Sequence, residues 1–164
     1  MLKKLFKKKN DTTVTLYSPV DGEVISLTDV PDPVFSEKMM GDGIAVKPVN
    51  GTIVAPIEGK VVQVFPTKHA VGIQTNNGLE ILIHIGLETV GMQGEGFESF
   101  VEVEDVVKVG DKLITFNKNL VNEMAASDIV PIVITNTTDM KSIQPVEKGE
   151  VRAGQDVILT IVVK

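Results

Sequence analysis

The chain of 164 residues has no cysteine and no tryptophan. Without thiols there is no disulfide framework, no thiolate nucleophile and no cysteine-type zinc site. Aromatic residues make up 4% of the chain and hydrophobic residues 43%. The core must therefore be valine, isoleucine and leucine, which favours strands. No apolar run approaches the length that spans a bilayer, and the basic start is not followed by the apolar segment of a secretory signal. The net charge of −6 argues against general nucleic-acid binding. No GxGxxG follows a strand and opens a helix, and no P-loop is present, so no nucleotide cradle is expected.

What charge there is lies unevenly. Residues 1–9 hold five lysines and no acid; taking these five from −6 leaves −11 for the rest. Leu2, Leu5 and Phe6 have helical spacing among those lysines. The piece is too short for a stable helix in water, but on an anionic bilayer its apolar residues can insert beside basic headgroup contacts. We expect residues 1–13 to be a flexible basic tail and residues 14–164 one domain, large enough for a real core. Many short strands with Gly and Pro turns, and one or two short helices, indicate an all-β antiparallel sandwich or barrel-like fold. A motif recurs: Ser18-Pro19-Val20-Asp21-Gly22-Glu23-Val24 and Ala55-Pro56-Ile57-Glu58-Gly59-Lys60-Val61. In both the acid–Gly pair reads as a turn and the valine as the start of a strand. Strands are also expected at 44–46, 52–54, 112–116, 132–135 after Pro131, and 157–163, the last of them central. A helix is expected over 120–127, capped by Asn117 or Asn119. The glycine-rich 91–96 stretch reads as a mobile surface loop.

Both histidines fall in residues 59–90. Strands at 71–75 and 79–85, joined at Asn76-Asn77-Gly78, form an antiparallel hairpin, because Asn and Gly tolerate positive φ. His69 precedes the first strand and His84 lies near the end of the second, so both stand at the end away from the turn. Ile81, Ile83 and Ile85 share one face; Glu80, Leu82 and His84 share the other. Burial of the isoleucines sets the register. His84 is then a rigid imidazole on the opposite face, and Gly86 beyond it leaves the backbone open. That placement suits a nucleophile or a ligand; a structural histidine is the plainer alternative.

These residues carry a resemblance. Val64-Phe65-Pro66-Thr67-Lys68-His69-Ala70, then Asn77-Gly78-Leu79-Glu80-Ile81-Leu82-Ile83-His84-Ile85-Gly86-Leu87-Glu88-Thr89-Val90, resemble the glucose-type enzyme IIA of the bacterial sugar phosphotransferase system. So do Val30-Pro31-Asp32-Pro33-Val34-Phe35, Lys38-Met39-Met40-Gly41-Asp42-Gly43, Gly94-Glu95-Gly96-Phe97 and Val107-Lys108-Val109-Gly110-Asp111. The match runs in order over residues 17–164. It implies an antiparallel β-sandwich and a phosphoryl relay, with His84 phosphorylated, His69 stabilising the phosphoryl group and Thr67 orienting His69. It implies docking through a rim, to which we assign Val34, Phe35, Phe65, Leu82, Gly86 and Glu88. The implied partners are the histidine phosphocarrier protein and a sugar-specific enzyme IIB. Without Cys or membrane spans the chain is expected to be a free-standing IIA, cytoplasmic, with peripheral membrane contact through residues 1–9. No cofactor is required and no intrinsic metal site is expected, although His69 and His84 together can share a zinc with a partner's carboxylate. Lys68 stands where better-known members have a neutral polar residue; Leu82, Ile85 and Val71 replace phenylalanines and Glu88 an aspartate. These departures bear on partner preference more than on chemistry.

Two other classes fit parts of the sequence. A zinc hydrolase of β fold would need a third protein ligand, such as Glu88, beside the two histidines. A biotin- or lipoyl-type carrier domain would need Lys38, in Glu37-Lys38-Met39-Met40, at the tip of a hairpin. The tail reading carries its own expectation. The full chain should co-sediment with anionic liposomes at low salt, and protein lacking residues 1–10 should not. Equal co-sedimentation of the two contradicts it.

Overall fold

The computed structural model describes residues 12–147 and 149–164. Leu2, Leu5 and Phe6, with their expected membrane contact, lie outside the described residues. Strands dominate: β1 (Thr13–Tyr17), β2 (Gly22–Ser26), β3 (Asp42–Pro48), β4 (Thr52–Val54), β5 (Gly59–Val64), β6 (Ala70–Gln74), β7 (Glu80–His84), β8 (Phe97–Ser99), β9 (Val106–Val107), β10 (Lys112–Phe116), β11 (Val130–Ile134), β12 (Met140–Pro145), β13 (Gly149–Val151) and β14 (Val157–Val163). Two short α-helices interrupt them, α1 (Pro33–Ser36) and α2 (Lys118–Met124). An eight-stranded sheet has the order β13-β2-β3-β11-β7-β6-β5-β9, and two three-stranded sheets have the orders β1-β14-β12 and β4-β10-β8. The pairings are antiparallel. The expected all-β architecture is what the chain adopts, with β14 in the middle of a smaller sheet.

Alternation along the strands divides the apolar residues between two clusters. Ile44, Val46, Val71, Ile73, Ile81, Ile83, Val130, Ile132 and Ile134 join the main core, which also takes residues from both smaller sheets. The residues between them, Ala45, Ala70, Leu82 and Val133, join a smaller cluster with Leu27, Val30, Phe35, Leu87 and Ile129. The large sheet is thus covered on both faces around β3, β11, β7 and β6. Burying an isoleucine contributes about 1.5–3 kcal/mol. A one-residue slip of β7 would turn Ile81 and Ile83 out of the main core, so its register is strongly held.

The β6–β7 hairpin forms as expected, with Thr75 N–H donating to the Leu79 carbonyl at 2.9 Å across the turn. Four local readings change. Pro131 lies inside β11, opposite Ala45, rather than before the strand; it stands where the pairing of β11 with β7 stops. Helix α2 begins two residues earlier than expected, capped by Asn117, whose side chain accepts from Leu120 N–H. It also ends earlier, at Met124, which is 49% exposed, and the chain is extended at Ala125. The 91–96 segment carries an inward anchor, since Met92 is buried. Thr13 already pairs with Val162, one residue ahead of the expected domain start.

The repeated motif also has a different basis. Gly22 and Gly59 open β2 and β5, and neither has left-handed backbone. A Cβ on Gly22 would stand 2.0 Å from the Lys47 carbonyl oxygen, and one on Gly59 2.7 Å from that of Gln74. Glycine is needed there for close approach of the partner strand. Gly78, by contrast, has φ +89° and open space around it. Gly22→Ala should therefore destabilise the protein by roughly 2–4 kcal/mol, against about 1 kcal/mol for Gly78→Ala. Urea denaturation distinguishes them, and equal losses would contradict the close-approach account.

Candidate active site

The hairpin brings the two histidines together. His69 immediately precedes β6 and His84 closes β7; Ala70 pairs with His84, and Ile85 N–H donates to the His69 carbonyl at 2.7 Å. The imidazole centroids are 5.0 Å apart, with the rings at 78°. Phe35 lies 5.0 Å from His84, and Phe65 lies 5.2 Å from His69, centroid to centroid. Four rings thus run in a row, Phe35–His84–His69–Phe65. His69 is 4% exposed, and His84 is partly open.

Each imidazole has one nitrogen engaged. His84 Nδ1 lies 2.8 Å from the Gly86 carbonyl oxygen. A carbonyl only accepts, so Nδ1 carries the proton and Nε2 keeps its lone pair. His69 Nδ1 is 2.5 Å from Thr67 Oγ1. With the hydroxyl donating, His69 carries its proton on Nε2. Thr67 is two residues before His69, on the short connection closed by Lys68 N–H to the Phe65 carbonyl at 2.7 Å.

Gly86 departs from expectation. It is buried, with φ +76°, and a Cβ would stand 2.5 Å from Thr89 Cγ2 and 2.8 Å from the Ser127 carbonyl oxygen. It does not open the backbone to solvent. It lets the chain turn under His84 so that its carbonyl meets Nδ1, while its N–H donates to the Ile129 carbonyl at 2.8 Å. Thr89 Oγ1 donates to the Ile85 carbonyl at 2.6 Å, which holds the same turn from the other side.

The expected docking rim divides in two. Val34, Phe65 and Glu88 reach the surface, Val34 at 38% exposure. Phe35, Leu82 and Gly86 are buried and offer little surface. Phe35 walls His84, and Leu82 packs in the cluster beneath, because alternation turns both sheet faces into packed interiors. Asp32 went unnoticed in the sequence as a site residue. Its Oδ1 accepts from Val34 N–H at 2.9 Å and caps α1, and its carboxylate raises the His84 pKa. An Asp-Pro pair before a helical turn signals the cap; only the fold puts it within electrostatic range of His84.

Burial and His69 dominate that balance. Burial, then the neighbouring His69, push the His84 pKa down to about 4, against the opposing effects of the Gly86 carbonyl and Asp32. Burial also lowers the pKa of His69. Both rings are neutral at pH 7. No group of three or more His, Cys, Asp or Glu side chains that could hold a metal occurs among the described residues. The arrangement offers one free, partly exposed imidazole nitrogen beside a buried imidazole.

Residues 14–140 match the family model described as phosphoenolpyruvate-dependent sugar phosphotransferase system, EIIA 1. The chain is 47% identical over 164 residues to a PTS system glucose-specific EIIA component of Oceanobacillus iheyensis, covering 99% of both chains. It is 51% identical over 157 residues to one of Staphylococcus epidermidis, covering 92% of this chain and 95% of the other. The solved structure of glucose permease IIA from Mycoplasma capricolum superposes with a TM-score of 0.85 at 45% identity, covering 90% of this chain and 95% of that one.

The depressed His84 pKa has a sign in stability. Between pH 6.5 and about 4 the unfolded chain binds a proton at this ring that the folded protein does not. Stability should therefore fall as pH drops through that window and level off below it. The loss at this ring amounts to up to about 3 kcal/mol. Wild-type protein should lose that much more than His84→Asn between pH 7 and pH 4 in urea denaturation. Parallel losses would mean that the ring is not desolvated in solution.

Proposed function

The chain belongs to the EIIA 1 family of the phosphoenolpyruvate-dependent sugar phosphotransferase system, and from that premise we propose that His84 carries the phosphoryl group on Nε2. The protein is a phosphotransferase component, a relay between a phosphocarrier protein and a sugar-permease component. The observation that carries the residue assignment is the imidazole pair at 5.0 Å with His84 Nδ1 committed to the Gly86 carbonyl.

A neutral imidazole nitrogen is a competent nucleophile, and the low pKa of His84 keeps it neutral across the physiological range. Phosphoryl transfer asks for in-line positioning and charge stabilisation more than for covalent assistance. The lone pair on His84 Nε2 attacks the phosphorus held on the imidazole of the histidine phosphocarrier protein. A new P–N bond forms, the old P–N bond breaks, and its electron pair returns to the carrier's ring nitrogen. Nδ1–H stays on the Gly86 carbonyl throughout and keeps the ring from swinging. His69, its tautomer set by Thr67, donates Nε2–H to a phosphoryl oxygen. In the second half-reaction the nucleophile of an enzyme IIB attacks the same phosphorus, and His84 is the leaving group.

Val34, Phe65 and Glu88 form the exposed part of the docking rim, with Phe35 and Leu82 supporting it from below. Relatives named glucose-specific support a glucose-type IIB as the acceptor. Residues 14–164 act as the relay domain in the cytoplasm, and residues 1–9 make weak, salt-sensitive contact with anionic membrane. Zinc is not required; His69 and His84 offer at most two nitrogens, and a partner's carboxylate would have to complete the site. The zinc-hydrolase and carrier-domain readings are not supported. Glu88 forms no ligand group with the histidines. Lys38 follows α1 and pairs with Asp42 at 3.3 Å, rather than capping a hairpin.

The assignment is tested with phosphoenolpyruvate, enzyme I and the phosphocarrier, mapping the phosphorylated site at alkaline pH. His84→Ala should abolish labelling. His69→Gln should accept the phosphoryl group and pass it on poorly, because the side chain still fills the site but donates less well. Thr67→Val, which frees the His69 tautomer, should slow onward transfer about tenfold, equivalent to one hydrogen bond of about 1.4 kcal/mol. Full labelling of His84→Ala with none of His69→Ala would reverse the two roles.

A further inference from the structure

Phosphorylation brings up to two negative charges to a place poorly equipped for them. Both imidazoles are neutral at pH 7, and Asp32 already adds a negative field at His84. The segments that build the site, residues 32–40, 65–70 and 84–96, carry four acids, Asp32, Glu37, Glu88 and Glu95, against two lysines. Of these lysines, Lys38 is 3.3 Å from Asp42. Lys68 is exposed, and no ion pair engages it among the described residues.

The backbone at Lys68 is informative. Its φ is +59°, a left-handed conformation unfavourable for a residue with a long side chain. Glycine or asparagine would occupy it at less cost. The turn is closed on both sides, by Lys68 N–H to the Phe65 carbonyl at 2.7 Å and Phe65 N–H to the Ala70 carbonyl at 3.1 Å. The Lys68 backbone is therefore fixed one peptide from His69, whose ring lies 5.0 Å from that of His84. A lysine carries its compact ammonium on a flexible four-carbon stem, so the charge anchored here is mobile next to the imidazole pair in the chain.

Resting on the assignment of His84 as the phosphorylated residue, we infer that the Lys68 ammonium is the countercharge for the phosphoryl group while it resides on this protein. It closes over the phosphoryl oxygens from the solvent side, as His69 contacts them from within. It offsets the field of Asp32, and so lowers the free energy of the phosphorylated form.

The experiment is a 31P NMR titration of the phosphorylated protein between pH 5.5 and 9, comparing wild type, Lys68→Asn and Lys68→Arg. Asparagine tolerates left-handed backbone, so the turn is kept. A nearby cation favours the dianionic phosphoryl group. In Lys68→Asn its last protonation should move up by about half a unit, and in Lys68→Arg it should stay at the wild-type value. The Lys68→Asn shift should shrink in high salt, where an exposed cation is screened. Superimposed curves for wild type and Lys68→Asn would overturn the inference. So would slower transfer from the carrier with no change in the curves, since that places Lys68 in partner docking. Absence of a phosphohistidine signal in wild type would instead sink the assignment of His84.

Discussion

The site depends on one cross-strand register, the pairing of Ala70 with His84 at the open end of the β6–β7 hairpin. That pairing brings together two histidines fifteen positions apart, at ring centroids 5.0 Å apart. The register is held from the far side of the sheet, where Val71, Ile73, Ile81 and Ile83 are fully or almost fully buried. A slip by one residue would turn them out of the main core and carry His84 to the wrong face. The small side chain of Ala70 opposite His84 leaves room for a ring that has to keep one nitrogen uncovered.

Around this pair the structure removes freedom step by step. Gly86 turns with φ +76°, packed so tightly by Thr89 and Ser127 that a methyl group would not fit. Its carbonyl takes the Nδ1 proton, and Thr67 engages the corresponding nitrogen of the second ring. Phe35 and Phe65 bracket the pair. A relay gains from such rigidity. Groups held in place before an encounter need little reorganisation during it. Desolvation by the same walls pushes the His84 pKa down to about 4 and keeps that ring unprotonated at pH 7.

Much of this was legible in the sequence because it is local. The hairpin could be read from Asn76-Asn77-Gly78 and the alternation after it, and the motifs around His69 and His84 pointed to the family. The hydrogen bonds between His84 and the Gly86 carbonyl and between Thr67 and His69 each span only two residues, so the end of the hairpin carries them without help from distant segments. Readings that failed concerned what other segments bring. Gly86 looked open because it has no side chain of its own, yet Thr89 and Ser127 close over it. Phe35 and Leu82 were assigned to the rim with the resemblance, yet both are buried, Phe35 against His84 and both in the smaller cluster. Pro131 looked like a boundary, but β11 needs no N–H where its pairing with β7 ends.

Taken alone, the sequence determined the all-β class, the hairpin and the family. Each follows from periodicity, turn chemistry or motif order, which are properties of neighbours along the chain. Tertiary structure alone decided how far the imidazoles are desolvated, which of Val34, Phe35, Phe65, Leu82, Gly86 and Glu88 reach solvent, and that Asp32 acts electrostatically on His84. Burial and electrostatics are sums over everything near in space, and strands distant in sequence supply most of that surrounding.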